Sequence, residues 1–142
     1  MKQNSSSTPL NEQIRKRSEK MKYFFDTYAL LEIFKGNPKY EPYKNYNVVT
    51  TYLHLFELFY NLRKEYETDI ITPFFETLKE LCIDLKFDWI IDASEFRLKN
   101  KKFDLSYADC LGYIISKNLN IKFLTGDIKF ENLENVEFLS AK

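Results

Sequence analysis

From residue 21 onward, short apolar runs alternate with stretches whose apolar residues recur at helical spacing. The runs at 23–25, 48–50, 121–124 and 136–139 have strand length and are rich in β-branched and aromatic residues. Between them, Ala29, Leu30, Leu31, Ile33 and Phe34 predict a helix that Gly36-Asn37-Pro38 stops. Residues 40–46 read as a weaker helical piece. A long helix is predicted over about 52–66. Its core face is Leu55, Phe56, Leu58, Phe59 and Leu62, and its polar face is His54, Glu57, Asn61 and Lys64. Thr72-Pro73 opens a further helix carrying Phe75, Leu78, Leu81 and Cys82. A poorly defined strand at 83–87 and a helix at 88–98 follow. Ser106 is placed to cap a helix whose apolar stripe is Tyr107, Cys110, Leu111, Ile114 and Ile115. After it come the strand at 121–124, the turn Gly126-Asp127, a turn of helix at 128–133 and a last strand.

Strands alternating with helices predict an α/β fold with a parallel sheet covered on both faces. Right-handed crossovers then put every strand's carboxyl end on one edge, where ligands sit near the topological switch point. The domain spans 21–142. Residues 1–20, with the low-complexity run SSSTP, read as a polar, flexible tail in which 10–20 makes at most a thin-faced helix.

Composition narrows the chemistry. At 142 residues, 44% hydrophobic and 30% charged, the chain is one soluble-type domain with room for a core. No apolar run approaches the roughly 18 residues a membrane span needs. The polar N-terminus lacks a signal-peptide pattern, so a cytoplasmic location is expected. Cys82 and Cys110 sit in apolar helical patterns and read as reduced core residues. With no paired Cys spacing and one histidine, His54, a zinc site is excluded. The whole chain is neutral, but residues 1–20 carry five Lys/Arg against two Glu, and the rest sixteen against nineteen acids. An acidic body disfavours nonspecific nucleic-acid binding; RNA binding would need local basic patches and a cation to mask the acids.

Four acids carry the candidate chemistry. Asp26 and Asp127 each follow a strand directly, and Asp109 opens a helix, so three can share the carboxyl edge. Glu57 is mid-helix and pattern alone does not place it. Each also has a local explanation: Asp26 and Asp127 as caps, Asp109 as half of a capping box with Ser106, Glu57 as a solvated charge. Gathered together they repel: two carboxylates about 5 Å apart cost roughly 3 kcal/mol at an effective dielectric of about 20. Such a cluster raises its pKa values or recruits a cation. Oxygen-only ligands favour a hard ion, Mg²⁺ or Mn²⁺, the equipment of phosphodiester hydrolysis.

The segments YFFDTYALLEIF, VVTTYLHLFELFYNL, LSYADCLGYIIS and KFLTGDIKF, in this order, resemble the PIN-domain nucleases, most of all the toxin ribonucleases of VapBC-type toxin–antitoxin pairs. The resemblance runs from Met21 to about Leu139. It implies a three-layer α/β/α sandwich with a central, mainly parallel sheet, and a metal-dependent endoribonuclease. Asp26, Glu57, Asp109 and Asp127 match the family's four acids, and Thr27 and Thr125 its supporting hydroxyls. It also implies a homodimer and a cognate antitoxin that blocks the site. Arg97, Lys99, Lys101 and Lys102, with Lys64 on the Glu57 helix, are the candidate contacts to an RNA backbone. The alternative within the fold is a non-catalytic module that binds RNA or protein. A haloacid-dehalogenase-type phosphohydrolase is disfavoured, because its second motif acid is replaced by Tyr28.

Overall fold

The computed structural model describes residues 21–142; the tail expected at 1–20 lies outside the described residues. Four strands, β1 (Met21–Phe25), β2 (Asn47–Val49), β3 (Lys122–Thr125) and β4 (Val136–Phe138), form one sheet in the order β2-β1-β3-β4. Every pairing is parallel. Among the described residues the α-helices are α1 (Thr27–Phe34), α2 (Tyr52–Arg63), α3 (Thr68–Leu78), α4 (Phe87–Lys99) and α5 (Tyr107–Leu119). This is the expected three-layer α/β/α architecture.

Strand alternation builds the layers. Phe24, Val49 and Phe123 face one side, where they pack with Trp89 and Ala93 of α4 and Cys110, Leu111, Tyr113 and Ile115 of α5. Their neighbours Phe25, Val48 and Leu124 face the other side, against Ala29 and Leu30 of α1, Leu55, Leu58 and Leu62 of α2 and Ile71 and Leu78 of α3. A sheet buried on both faces explains why these strands read as continuous apolar runs.

Four local expectations are corrected. The third helix starts at Thr68, not at Thr72-Pro73. Pro73 lies inside it but is exposed, so water can reach the carbonyl it leaves without a donor, while the Thr72 hydroxyl donates to the Thr68 carbonyl at 2.7 Å. The strand expected at 83–87 reduces to one bridge, Thr50 to Cys82, at the β2 edge, and Phe87 already belongs to α4. On α2, His54 is fully buried and Phe56 is 72% exposed, the reverse of the expected faces. The helix is rotated so that His54 packs edge-on against Phe24, ring centres 4.8 Å apart. Tyr107, expected in the apolar stripe of α5, is also 72% exposed, because as the first helical residue it projects beyond the sheet-facing side. Cys110 is buried as expected, while Cys82 is half-buried.

Two glycines permit close approaches. A Cβ on Gly112 of α5 would stand 2.7 Å from His54 Nε2 and from a Phe24 ring carbon, and 2.8 Å from Phe123. One on Gly126 would stand 2.4 Å from the Leu139 carbonyl oxygen and from the Tyr28 ring. Gly112 thus lets α5 lie flat on α2 and the sheet, and Gly126 lets β3 end tightly beneath α1. Among the described residues no helix is long and apolar enough to cross a membrane.

Candidate functional site

β1 and β3 are adjacent, yet the chain leaves them toward opposite edges of the sheet, β1 to β2 and β3 to β4. The crevice beyond their carboxyl ends is therefore the switch point of the fold. Asp26 ends β1 and caps α1: its Oδ1 accepts from the Thr27 amide at 2.8 Å, and its Oδ2 from the Thr125 hydroxyl at 2.7 Å. Thr125 ends β3, so one hydroxyl ties the two central strands together at the crevice. The same oxygen accepts from the Asp127 amide at 3.1 Å. Asp127 caps the 3-10 turn Ile128–Phe130, its Oδ1 accepting from the Lys129 amide at 3.0 Å. Asp109 sits in the first turn of α5 in a reciprocal capping box. Its amide donates to the Ser106 hydroxyl at 3.0 Å, and its carboxylate accepts from the Ser106 amide at 2.9 Å. Glu57 lies half-buried in the middle of α2.

The charges of these acids act on one another. Asp26, 1% exposed, has its pKa raised well above the carboxylate range, first by burial and then by the charge of Asp109, with a smaller push from Glu57. The hydrogen bonds from Thr125 and Thr27 oppose that rise without cancelling it. Asp109 is pushed up to about 6, again by burial first, with the charges of Glu57 and Asp127 adding to it against the Ser106 amide. Each of the four sequence-selected acids thus acts on at least one of the others: Asp109 and Glu57 on Asp26, and Glu57 and Asp127 on Asp109, so that Glu57, which the sequence pattern left unplaced, is linked to the crevice.

The donor chemistry fits a hard divalent cation: all oxygen, mutually repelling and partly desolvated. One further oxygen, Thr27 Oγ1, is buried beside Asp26 without a hydrogen-bond partner. Among the described residues, however, no three acidic, histidine or cysteine side chains are gathered into a preformed cage.

The candidate basic residues divide. Arg97, in the last turn of α4, donates from Nε to the Leu105 carbonyl at 3.0 Å and lays its guanidinium 4.4 Å from the centre of the Tyr107 ring, two residues before Asp109. Lys64, the C-cap of the helix that carries Glu57, places its ammonium 4.9 Å from the Tyr60 ring centre. Lys102 lies over Phe103, and Lys99 is exposed at the end of α4. Lys101 lines an apolar groove with Leu85, Ile90 and Leu98 that Arg97 and Tyr107 also border.

Two features escaped the sequence. Lys129 donates from its ammonium to the Asp104 carbonyl at 2.9 Å, tying the Asp127 turn to the loop before α5. Phe56, Tyr60 and Tyr107 surround a cleft of about 280 Å³ with Glu57 in its wall. The signal for the second was available as a second stripe on α2: Tyr52, Phe56 and Tyr60 recur at four-residue spacing and are all exposed.

No curated protein sequence matches the chain. Two solved structures share its fold, each covering 84% of this chain and 98% of its own. One is a toxin-antitoxin complex from Klebsiella pneumoniae, 14% identical with a TM-score of 0.63. The other is VapBC2 from Rickettsia felis bound to a DNA fragment from their promoter, 19% identical with a TM-score of 0.65. The family model described as the PIN domain matches residues 23–136, a span that contains all four acids, and the chain belongs to the PIN-domain family.

Proposed function

We propose that this protein is a metal-dependent endoribonuclease acting at the crevice of Asp26, Glu57, Asp109 and Asp127. The observation that carries this reading is the set of acids at one crevice: burial first raises the pKa of Asp26 and of Asp109, the charges of Asp109 and Glu57 add to the rise at Asp26, and those of Glu57 and Asp127 add to it at Asp109. A fold gains nothing from such repulsion unless a cation answers it. Mg²⁺ or Mn²⁺ would be held by these four carboxylates and, when bound, would supply the positive charge that activates water and neutralises a phosphodiester. The chain's own contribution is orientation. Thr125 and the Thr27 amide fix Asp26, the Ser106 capping box fixes Asp109, and the Lys129 amide fixes Asp127. Thr27 Oγ1 is a spare buried donor or acceptor beside this set. Arg97 and Lys64 are the best-placed cations for a substrate backbone, with Lys99, Lys101 and Lys102 further along the same basic segment.

The toxin role, a cognate antitoxin and a homodimer belong to the same proposal. They are supported by the fold shared with chains of toxin–antitoxin complexes and by the open groove of about 540 Å³ lined by Leu85, Ile90 and Leu98, a surface suited to a partner helix.

Incubation with structured RNA and Mg²⁺ or Mn²⁺ is expected to give cleavage that EDTA abolishes. Asp26→Asn and Asp109→Asn are expected to remain folded and lose it. Cleavage by these variants at the wild-type rate would refute the assignment. Binding of RNA by the metal-loaded protein without any cleavage would leave a non-catalytic module instead.

A further inference from the structure

We infer that the cleft between Phe56, Tyr60 and Tyr107 receives an unpaired base of a single-stranded RNA segment drawn across the acid cluster. The three rings are 72%, 64% and 72% exposed, unusual for so much aromatic surface gathered in one place. Phe56 and Tyr60 stand one helical turn apart on α2, Tyr107 opens α5 opposite them, and the carboxylate of Glu57 forms part of the wall. That carboxylate disfavours a phosphate in the interior, whereas a flat neutral base can stack on the rings and on Leu53 and Ala108, with Glu57 and Ser106 left to meet its polar edge.

The flanks have the opposite character. Lys64 lies over Tyr60 on one side and Arg97 over Tyr107 on the other. Two of the rings that line the cleft thus each carry a cation. A strand whose base enters the cleft can present its neighbouring phosphates to the two cations, the combination of stacking platform and basic flank that single strands use. Arg97 is held for this by its bond to the Leu105 carbonyl. A duplex cannot use the cleft, because its bases are stacked on one another.

The inference rests on the proposed nuclease reading for the choice of RNA, but its test does not need cleavage. Binding of the full chain to a labelled single-stranded oligouridylate, and to its duplex with oligoadenylate, is followed by fluorescence anisotropy in EDTA and again in Ca²⁺, a divalent ion that masks the acids. The single strand is expected to bind more tightly than the duplex. Phe56→Ala and Tyr107→Ala, both at exposed positions, are each expected to weaken it about tenfold with unchanged circular dichroism. Tyr107→Phe is expected to keep wild-type affinity, and Arg97→Ala and Lys64→Ala to flatten the salt dependence by about one counterion each. Absent single-strand binding, equal duplex binding, or wild-type affinity in the alanine variants would each overturn the inference. So would a protein partner lost on Tyr107→Ala while RNA affinity is unchanged. A protein that binds in this way but never cuts would defeat the nuclease reading and leave the cleft assignment standing.

Discussion

Replacing Asp109 with asparagine removes one charge from the cluster and leaves its shape. In the folded protein this acid is pushed up to about 6 from an ordinary value of 3.8. The gap of roughly two pH units corresponds to about 3 kcal/mol of destabilisation of the charged form. The direction follows from proton linkage. Between about pH 4 and 6 the folded state keeps a proton that the unfolded state has given up, so stability falls as pH rises through that window and is level above it. Asparagine can still accept from the Ser106 amide, now at 2.9 Å, but forfeits the negative charge at the α5 N-terminus, a loss of about 0.3–1 kcal/mol. The balance at pH 7.5 is a gain of about 2 kcal/mol for Asp109→Asn in the absence of divalent ions, or roughly 5–10 °C in Tm. The assay is thermal unfolding by circular dichroism in EDTA from pH 4 to 8, repeated with millimolar Mg²⁺. The difference between the two proteins is expected to be largest above pH 6 and to vanish near pH 4. Mg²⁺ is expected to raise the wild-type Tm toward that of the variant by binding the folded state. A variant that melts at or below the wild type at pH 7.5 in EDTA, by the same margin at every pH, would mean that Asp109 serves only as a helix cap and that the repulsion is absent.

Thr125→Val deletes the donor to Asp26 and the acceptor for the Asp127 amide; a loss of about 2–3 kcal/mol is expected in urea unfolding, and an unchanged midpoint would refute the role of this hydroxyl in joining β1 to β3. Gly112→Ala inserts a Cβ 2.7 Å from both His54 Nε2 and Phe24; a Tm decrease matching about 1–3 kcal/mol is expected, and a neutral result would show that α5 can lift from the sheet without cost. His54, buried with Nδ1 2.7 Å from the Thr51 hydroxyl, has its pKa lowered to about 3 by burial, against a weaker opposing contribution from the Ala108 backbone. Its imidazole resonances are therefore expected not to shift between pH 8 and 5. The stability it confers is lost as pH falls below the unfolded value of 6.5 toward 3, and a midpoint near 6 by nuclear magnetic resonance would refute its burial.

Much of the local structure was legible because its causes are local. The Ser106–Asp109 capping box needs only neighbouring residues, and it forms as the spacing implied. The runs at 23–25 and 121–124 are apolar on both faces because both faces of β1 and β3 are covered, so they read as strands from composition alone. The errors share one origin. His54 and Phe56 exchanged roles because the rotation of α2 about its axis is set by what it packs on: the space left by Gly112 admits an imidazole against Phe24, and Phe56 is turned to the surface. Pro73 misplaced a helix start because its exposure makes it tolerable inside α3. The segment after Leu81 lost most of its strand because only Thr50 offers it a partner.

By itself, the sequence determined most of the strands and helices, the segment at 83–87 apart, and that Asp26, Asp109 and Asp127 stand at element ends, since capping and periodicity act over a few residues. Only the tertiary structure decided that β1 and β3 lie side by side and that α2 carries Glu57 to the same crevice. It also decided that Phe56, Tyr60 and Tyr107 converge beside that crevice. Those juxtapositions depend on strand order and helix rotation, which are set by packing between residues distant in the chain.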